Sequence, residues 1–350
     1  MIRSPIVFAV LGASLFALPG CDLFRSGPAV NEVLLIGTRV SLDFLDTGAF
    51  EIVATPLDEE GASILDEGVE AEVAVATPGG VDATAQFGRA DPASDQPLRV
   101  ALVIDESGSM RDTDPLRLRV AGAIDFVEHL AQTPGLDWQA AVYSYSSNWQ
   151  MRAPFLSDLT RLRQGIEQIG ASGGTNTYYA LRKTLFEFAS GPRSAPSLRK
   201  AIVLFSDGQP NDAHRRDEVC QEAVRLGVPI FAIGLGPASD LSPDADPAAV
   251  EEMRAIANCT GAAYAGIAPN DPTAIQRIYV SIATAAAQGS LTYDVTLSGP
   301  GFEALQPGQR VEGRLQLSSG GASASASFQF TVPPATAAHF TSHPVSSVGE

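Results

Sequence analysis

Two apolar runs in this chain each end on an aspartate, and that recurrence narrows the choice of fold more than any other feature. Val100-Ala101-Leu102-Val103-Ile104 runs into Asp105, and Ala201-Ile202-Val203-Leu204-Phe205 runs into Ser206-Asp207. Uninterrupted apolar runs of this length read as strands buried on both faces. Such strands sit in parallel sheets covered by helices, and the sequence between them supplies the helices. Residues 98–288 alternate strand-like segments (Trp138–Ser146, Val228–Ile233, Ala262–Ala265) with helix-like ones (Ser157–Ile169, Thr177–Ala189, Ala248–Asn258, Thr273–Ala287). The alternation predicts an α/β unit with a mostly parallel central sheet. Asp114-Pro115, Asp246-Pro247 and Asp271-Pro272 each predict a helix start, with Asp as cap and Pro in the first turn.

The residues just beyond the two apolar runs are rich in oxygen. Asp105-Glu106-Ser107-Gly108-Ser109 offers a carboxylate and two hydroxyls at alternate positions. Gly173-Gly174-Thr175 precedes the helix Thr177–Ala189 and adds a hydroxyl, and Asp207 adds a second carboxylate. In an open α/β sheet, ligands bind beyond the carboxyl ends of strands where strand order reverses, so neighbouring strands would bring Asp105 and Asp207 into one crevice. Two carboxylates with three neutral oxygens suit Mg²⁺, with Mn²⁺ or Ca²⁺ as the other candidates. The competing reading of these residue types is helix caps and turns. Glu106 reads as a solvated side chain, and Asn211 and Asp212 as loop polarity. Asp240, Asp244 and Asp246 read as caps and turns, because no glycine stands at the sixth position from Asp244 that a calcium loop needs.

Taken in order, Asp105, Ser107, Ser109, Thr175 and Asp207 match D-x-S-x-S, then Thr, then Asp after the next core strand. Residues 98–288 thereby resemble the von Willebrand factor A domain with its metal-ion-dependent adhesion site. The resemblance implies a Rossmann-like fold in which Ser107, Ser109 and Thr175 touch the ion and the aspartates act partly through water. It further implies that the ion accepts a carboxylate, Asp or Glu, from a protein partner. It also places the helices carrying Cys220 and Cys259 side by side, which favours a disulfide between them; two buried thiols are the alternative.

Outside this unit the pattern changes. Residues 31–97 contain short, partly alternating apolar stretches: Val33–Ile36, Val40–Phe44, Phe50–Ala54 and Val69–Val75. Residues 289–335 contain Leu291–Leu297, Val311–Leu317 and Ser325–Val332, with Ser318-Ser319-Gly320-Gly321 as a turn. Neither flank alone has enough strands for a stable sandwich. The reading is a β-sandwich-like region built from both flanks, with the α/β unit inserted between them; two independent β units are the alternative. Residues 1–20 read as a signal peptide, its apolar core running from Ile6 to Leu18. Leu18-Pro19-Gly20-Cys21 resembles a bacterial lipobox, with Pro19 in place of the usual small or β-branched residue, and implies lipid on Cys21. Residues 21–30 read as a tether and 336–350 as a loose tail.

Composition and missing motifs narrow the function. A net charge of −17, from 40 acids against 23 bases, argues against nucleic acid, whose affinity rests on basic patches. No G-x-S-x-G elbow, Walker A loop or Rossmann glycine pattern occurs, and the candidate site has no base apart from its own ligands. The sequence reads as a non-enzymatic, membrane-anchored lipoprotein of the cell envelope that binds a protein partner through a divalent cation. The alternative is an assembly or scaffolding subunit in which the metal site is mainly structural.

Overall fold

The computed structural model describes residues 28–76, 80–92, 96–190, 198–269 and 271–333. The signal peptide, Cys21 and the tail expected from 336 onward lie outside them. The amino-terminal flank forms β1 (Glu32–Val40), the single-turn α1 (Phe44–Thr47), β2 (Ala49–Leu57), β3 (Glu70–Ala76) and β4 (Asp82–Pro92). The alternating region forms β5 (Leu98–Asp105), α2 (Met110–Thr113), α3 (Leu118–Gln132), β6 (Trp138–Tyr145), β7 (Trp149–Leu156), α4 (Leu159–Glu167) and α5 (Thr177–Ala189). It continues through β8 (Arg199–Ser206), α6 (Arg216–Leu226), β9 (Ile230–Gly234), α7 (Pro247–Cys259), β10 (Tyr264–Gly266) and α8 (Pro272–Gln288). The carboxyl-terminal flank forms β11 (Gly289–Ser298), the single-turn α9 (Pro300–Glu303), β12 (Arg310–Ser319) and β13 (Ala322–Thr331).

Among the described residues one sheet has ten strands in the order β4-β11-β2-β1-β10-β9-β8-β5-β6-β7. Its centre, β10 through β6, is parallel. Helices cover both faces of that centre, so its strands carry no polar face. Val100, Leu102 and Ile104 of β5 pack with Phe126 and Leu130 of α3 and Ile282 of α8 on one side. Ala101 and Val103 point the other way, toward Leu181 and Leu185 of α5 and Val219 of α6. This two-residue alternation into two cores explains why the run is apolar at every position. A disulfide joins Cys220 of α6 to Cys259 at the end of α7, with 5.9 Å between their Cα atoms.

The flanking strands do not stand apart from this sheet. β1 joins the edge of β10 in antiparallel fashion, and β2, β11 and β4 extend it. Gly37 is required at the seam, because a Cβ there would run into the Tyr264 carbonyl. A second, antiparallel sheet, β13-β12-β3, covers the extension. The core between the two layers contains Phe44, Phe50, Ile52, Tyr293, Val311, Phe328 and Phe330. The seam is also tied by charge. The buried Arg254 of α7 donates to Asp240 Oδ2 at 2.6 Å, and that oxygen accepts the Thr331 N–H of β13 at 3.0 Å.

Several local expectations are corrected. Asp114-Pro115 does not open α3. The helix begins at Leu118, after Arg117, the one non-glycine residue with positive φ (55°) among those described. Asp114 instead turns its carboxylate onto the Leu118 and Arg119 N–H groups and onto the Arg119 side chain. The other two Asp-Pro pairs do cap α7 and α8. Helix α4 does not start at Ser157 but after Asp158, whose carboxylate caps it. Phe44 lies in α1 rather than extending the strand before it. Strand β4 was not legible, because its alternating positions are mostly alanine.

Candidate functional site

The candidate site lies where strand order reverses at the sheet centre. From β5 the chain moves to β6 on one side, while β8 lies on the other. Asp105 is the last residue of β5 and Asp207 follows the last residue of β8, so the parallel register sets the two carboxylates at adjacent strand ends. Both are buried, with Asp105 at 0% and Asp207 at 1% exposure. Ser107 is buried, Thr175 half-buried and Ser109 exposed, so the oxygen cluster runs from the sheet's interior to the surface.

Hydrogen bonds join four of these five residues into a chain. Asp105 Oδ1 accepts the Ser107 N–H at 2.7 Å, and its Oδ2 accepts the Ser206 hydroxyl at 2.7 Å. The Ser107 and Ser109 hydroxyls lie 3.0 Å apart. Ser109 donates to Asp207 Oδ1 at 2.9 Å. The other Asp207 oxygen, Oδ2, is buried with no hydrogen-bond partner.

Thr175 arrives on a separate loop whose main chain is fastened to its neighbours. Gly108 N–H donates to the Gly173 carbonyl at 2.9 Å, and Asn211 N–H donates to the Thr175 carbonyl at 2.8 Å. Gly173 has φ +92°, and a Cβ on it would press on the Ser146 hydroxyl at 3.0 Å, so both its conformation and its contact favour glycine. The Thr175 hydroxyl makes no hydrogen bond within the chain among the described residues.

Two residues near the site have roles that the sequence reading missed. Asp212, read as loop polarity, is buried and accepts the Tyr178 and Tyr179 N–H groups at the start of α5, at 3.2 and 2.7 Å. Glu106, read as solvated, is buried and paired with Arg152 at 2.7 Å. An acidic residue shortly before a helix start, as Asp212 is for α6, looks the same in sequence whether it caps its own helix or another. Asp244 N–H bonds to Ser242, and Asp246 caps α7, in keeping with caps and turns, whereas Asp240 belongs to the buried pair at the seam.

The electrostatics are those of a site short of positive charge. Burial, then the nearby Asp207 carboxylate, push the Asp105 pKa up to about 7, although hydrogen bonds from Ser107 and Ser206 pull the other way. Burial also raises Asp207, opposed by the nearby Thr113 and Ser109 hydroxyls and by the Arg119 charge, although the Thr113 hydroxyl donates to the Ser109 carbonyl at 3.1 Å and leaves Asp207 Oδ2 unbonded. Among the described residues no three His, Cys, Asp or Glu side chains cluster, so a cation here would be held largely by hydroxyls. The donor set fits one. Both carboxylates are buried, the Asp207 charge raises the proton affinity of Asp105, one Asp207 oxygen lacks a partner, and the hydroxyls around them can all accept.

The family model described as von Willebrand factor type A domain matches residues 100–279. Matrilin-1 of Mus musculus is 25% identical over 148 residues, covering 40% of this chain and 29% of that protein. Matrilin-1 of Bos taurus is 26% identical over 148 residues, covering 40% of this chain and 26% of that protein. The chain thus spans under a third of the length of the curated relatives it matches. Among solved structures, a von Willebrand factor type A protein from Catenulispora acidiphila aligns with 88% of this chain and 75% of its own, at 13% identity and TM-score 0.45. The vWF domain of the type V pili tip protein Mfa5 from Porphyromonas gingivalis aligns with 55% of this chain and 95% of its own, at 16% identity and TM-score 0.43. Proximal thread matrix protein 1 from the mussel byssus, solved with a zinc-occupied MIDAS motif, aligns with 62% of this chain and 50% of its own, at 16% identity and TM-score 0.43.

Proposed function

The chain belongs to the von Willebrand factor type A domain family, and we propose that it is an exported protein, anchored through lipid on Cys21, that binds a protein partner through a divalent cation. Domains of this family typically mediate protein–protein interaction or adhesion. Asp105, Ser107, Ser109, Thr175 and Asp207 would hold the cation, with Mg²⁺ as the first candidate. The observation that carries this reading is the Asp207 carboxylate, buried with Oδ2 unpartnered beside the Ser109 hydroxyl. A buried charge left in that state costs several kcal/mol unless something pairs with it. A cation removes that cost for both carboxylates at once.

Binding, rather than catalysis, is the chemistry that this donor set supports. Neutral hydroxyls leave most of the ion's charge unquenched, so an anionic oxygen from outside is attracted to it. The protein's own residues hold the loops, exclude water from the Asp105 end and expose the Ser109 end, where an Asp or Glu of the partner can reach. The test is retention of envelope proteins on the immobilised chain in Mg²⁺ and in chelator, with Asp207→Ala as control. A partner retained in Mg²⁺ and lost both in chelator and with the variant supports the reading. Retention that ignores both moves the interface away from this site. Intact mass of the native protein tests the anchor, which requires a mature chain starting at lipid-modified Cys21.

A further inference from the structure

Two ion pairs, one buried and one partly exposed at its arginine, converge on a single residue, Gly170, at the base of the loop that carries Thr175. The first is Arg119–Asp114, 2.6 Å apart, with both side chains at 1% exposure. Arg119 uses its remaining donors on main-chain oxygens: Nε on the Asp105 carbonyl at 3.0 Å and Nη2 on the Gly170 carbonyl at 2.6 Å. The second is Arg152–Glu106, 2.7 Å apart. Glu106 Oε2 also accepts the Gly170 N–H at 3.2 Å, and Arg152 Nε donates to Ser144 Oγ at 2.7 Å. Gly170 is therefore gripped through both its N–H and its C=O. One grip comes from the residue next to Asp105, the other from an arginine holding the Asp105 carbonyl itself.

This arrangement exceeds what a loop needs to stay folded. A backbone N–H and C=O near the surface can be satisfied by water, and Gly170 is exposed. Here each is instead bonded to a charged side chain, the C=O closely at 2.6 Å and the N–H more loosely at 3.2 Å, and hydrogen bonds to charged groups are stronger than neutral ones. Beyond Gly170 the two loops stay in contact. Arg111 reaches the Ala171 carbonyl at 3.2 Å, Ser172 N–H donates to the Glu106 carbonyl at 2.6 Å, and Gly108 N–H donates to the Gly173 carbonyl at 2.9 Å. The clamp thus fixes the separation between the loop bearing Ser107 and Ser109 and the loop bearing Thr175.

We propose that Glu106, Arg119 and Arg152 are positioning residues that set the cation preference of the site, holding it in favour of Mg²⁺ over Ca²⁺. The inference rests on the metal-binding reading above. Mg²⁺ demands near-ideal octahedral geometry at about 2.0–2.1 Å, whereas Ca²⁺ accepts flexible coordination at about 2.3–2.6 Å. A loop free to drift by a few tenths of an ångström still serves Ca²⁺ and fails Mg²⁺. Partners that orient metal ligands change affinity by about 10–100-fold when removed.

The test is calorimetric titration of the folded chain with Mg²⁺ and, separately, with Ca²⁺, for wild type, Glu106→Ala and Glu106→Gln. Glu106→Ala should weaken Mg²⁺ about tenfold or more and Ca²⁺ clearly less, so that the ratio of the two affinities falls. Glu106→Gln keeps an oxygen for the Gly170 N–H and should restore most of the ratio. Melting in chelator checks that each variant is folded, and Arg152→Ala, at a partly exposed residue, replaces Glu106→Ala if that variant is not. Equal losses for both ions, or no loss for either, would overturn the clamp as a selectivity device. Wild type that binds neither ion overturns the metal reading itself, which is a different result.

Discussion

Ser109 donates a 2.9 Å hydrogen bond to Asp207, joining residues that lie 98 positions apart in the segments that follow two adjacent parallel strands. The bond lies at the outer rim of the oxygen cluster, between an exposed hydroxyl and a buried carboxylate. It shows how the site is assembled. The sheet brings the carboxylates together, and short loops bring hydroxyls to them.

Salt should have an unusual effect on partner binding. The chain carries a net charge of −17, so long-range forces oppose an acidic ligand. Attraction must act at short range, through the cation. Raising ionic strength screens the repulsion and leaves the direct contact intact. Affinity measured from low to physiological salt should hold or rise, and chelator should abolish it. A steep loss with salt would point to a basic surface as the binding element.

The pH dependence follows from Asp105. Its pKa in the cation-free fold is raised to about 7 from an ordinary 3.8. A carboxyl whose folded pKa lies above its unfolded value stabilises the fold fully below the unfolded value, and that stabilisation is lost as pH rises toward the folded one. The chelated protein should therefore lose this contribution on going from acid to neutral pH. A cation requires the ionised form and competes with the proton. The rise in melting temperature on adding Mg²⁺ should be small at about pH 5.5 and larger at about pH 8. A gain that shrinks with rising pH would contradict the assignment of Asp105 to the site.

The buried Arg254–Asp240 pair, which fastens α7 to β13, offers a test of the fold independent of the metal. Asp240→Ala leaves the Arg254 guanidinium buried without its carboxylate and removes the acceptor of the Thr331 N–H. Breaking a buried pair from one side costs about 3–5 kcal/mol. Denaturant unfolding should show a loss of that order, with Mg²⁺ affinity unchanged. A loss below about 1 kcal/mol would mean that the pair is not the fastening it resembles.

Much of this architecture is legible in the sequence, for reasons that differ along the chain. The parallel centre is readable because residues buried on both faces leave uninterrupted apolar runs, as in Val100–Ile104 and Ala201–Phe205. Helix α5 is read from Thr177 to Ala189, because the preceding glycines mark its start and its apolar period is regular. The flanking strands are readable as strands but not as extensions of the central sheet. Pairing across β1 and β10 depends on Gly37, whose role is visible only against the Tyr264 carbonyl. The five oxygen-bearing residues stand out by their order along the chain, whereas Glu106, Arg119 and Arg152 do not. Their significance lies in Glu106 and Arg119 meeting at Gly170, with Arg152 paired to Glu106 from a third segment, and no local pattern encodes that meeting.

Whether the oxygen cluster holds a divalent cation is decided by calorimetric titration of the folded chain with Mg²⁺, repeated with Mn²⁺. One site per chain is expected, abolished by Asp207→Ala, with the variant still folded in chelator. At about 100-fold excess over the dissociation constant, binding should stabilise the wild-type fold by roughly 2–3 kcal/mol. No binding of either ion at millimolar concentration, or binding that Asp207→Ala leaves intact, would contradict it.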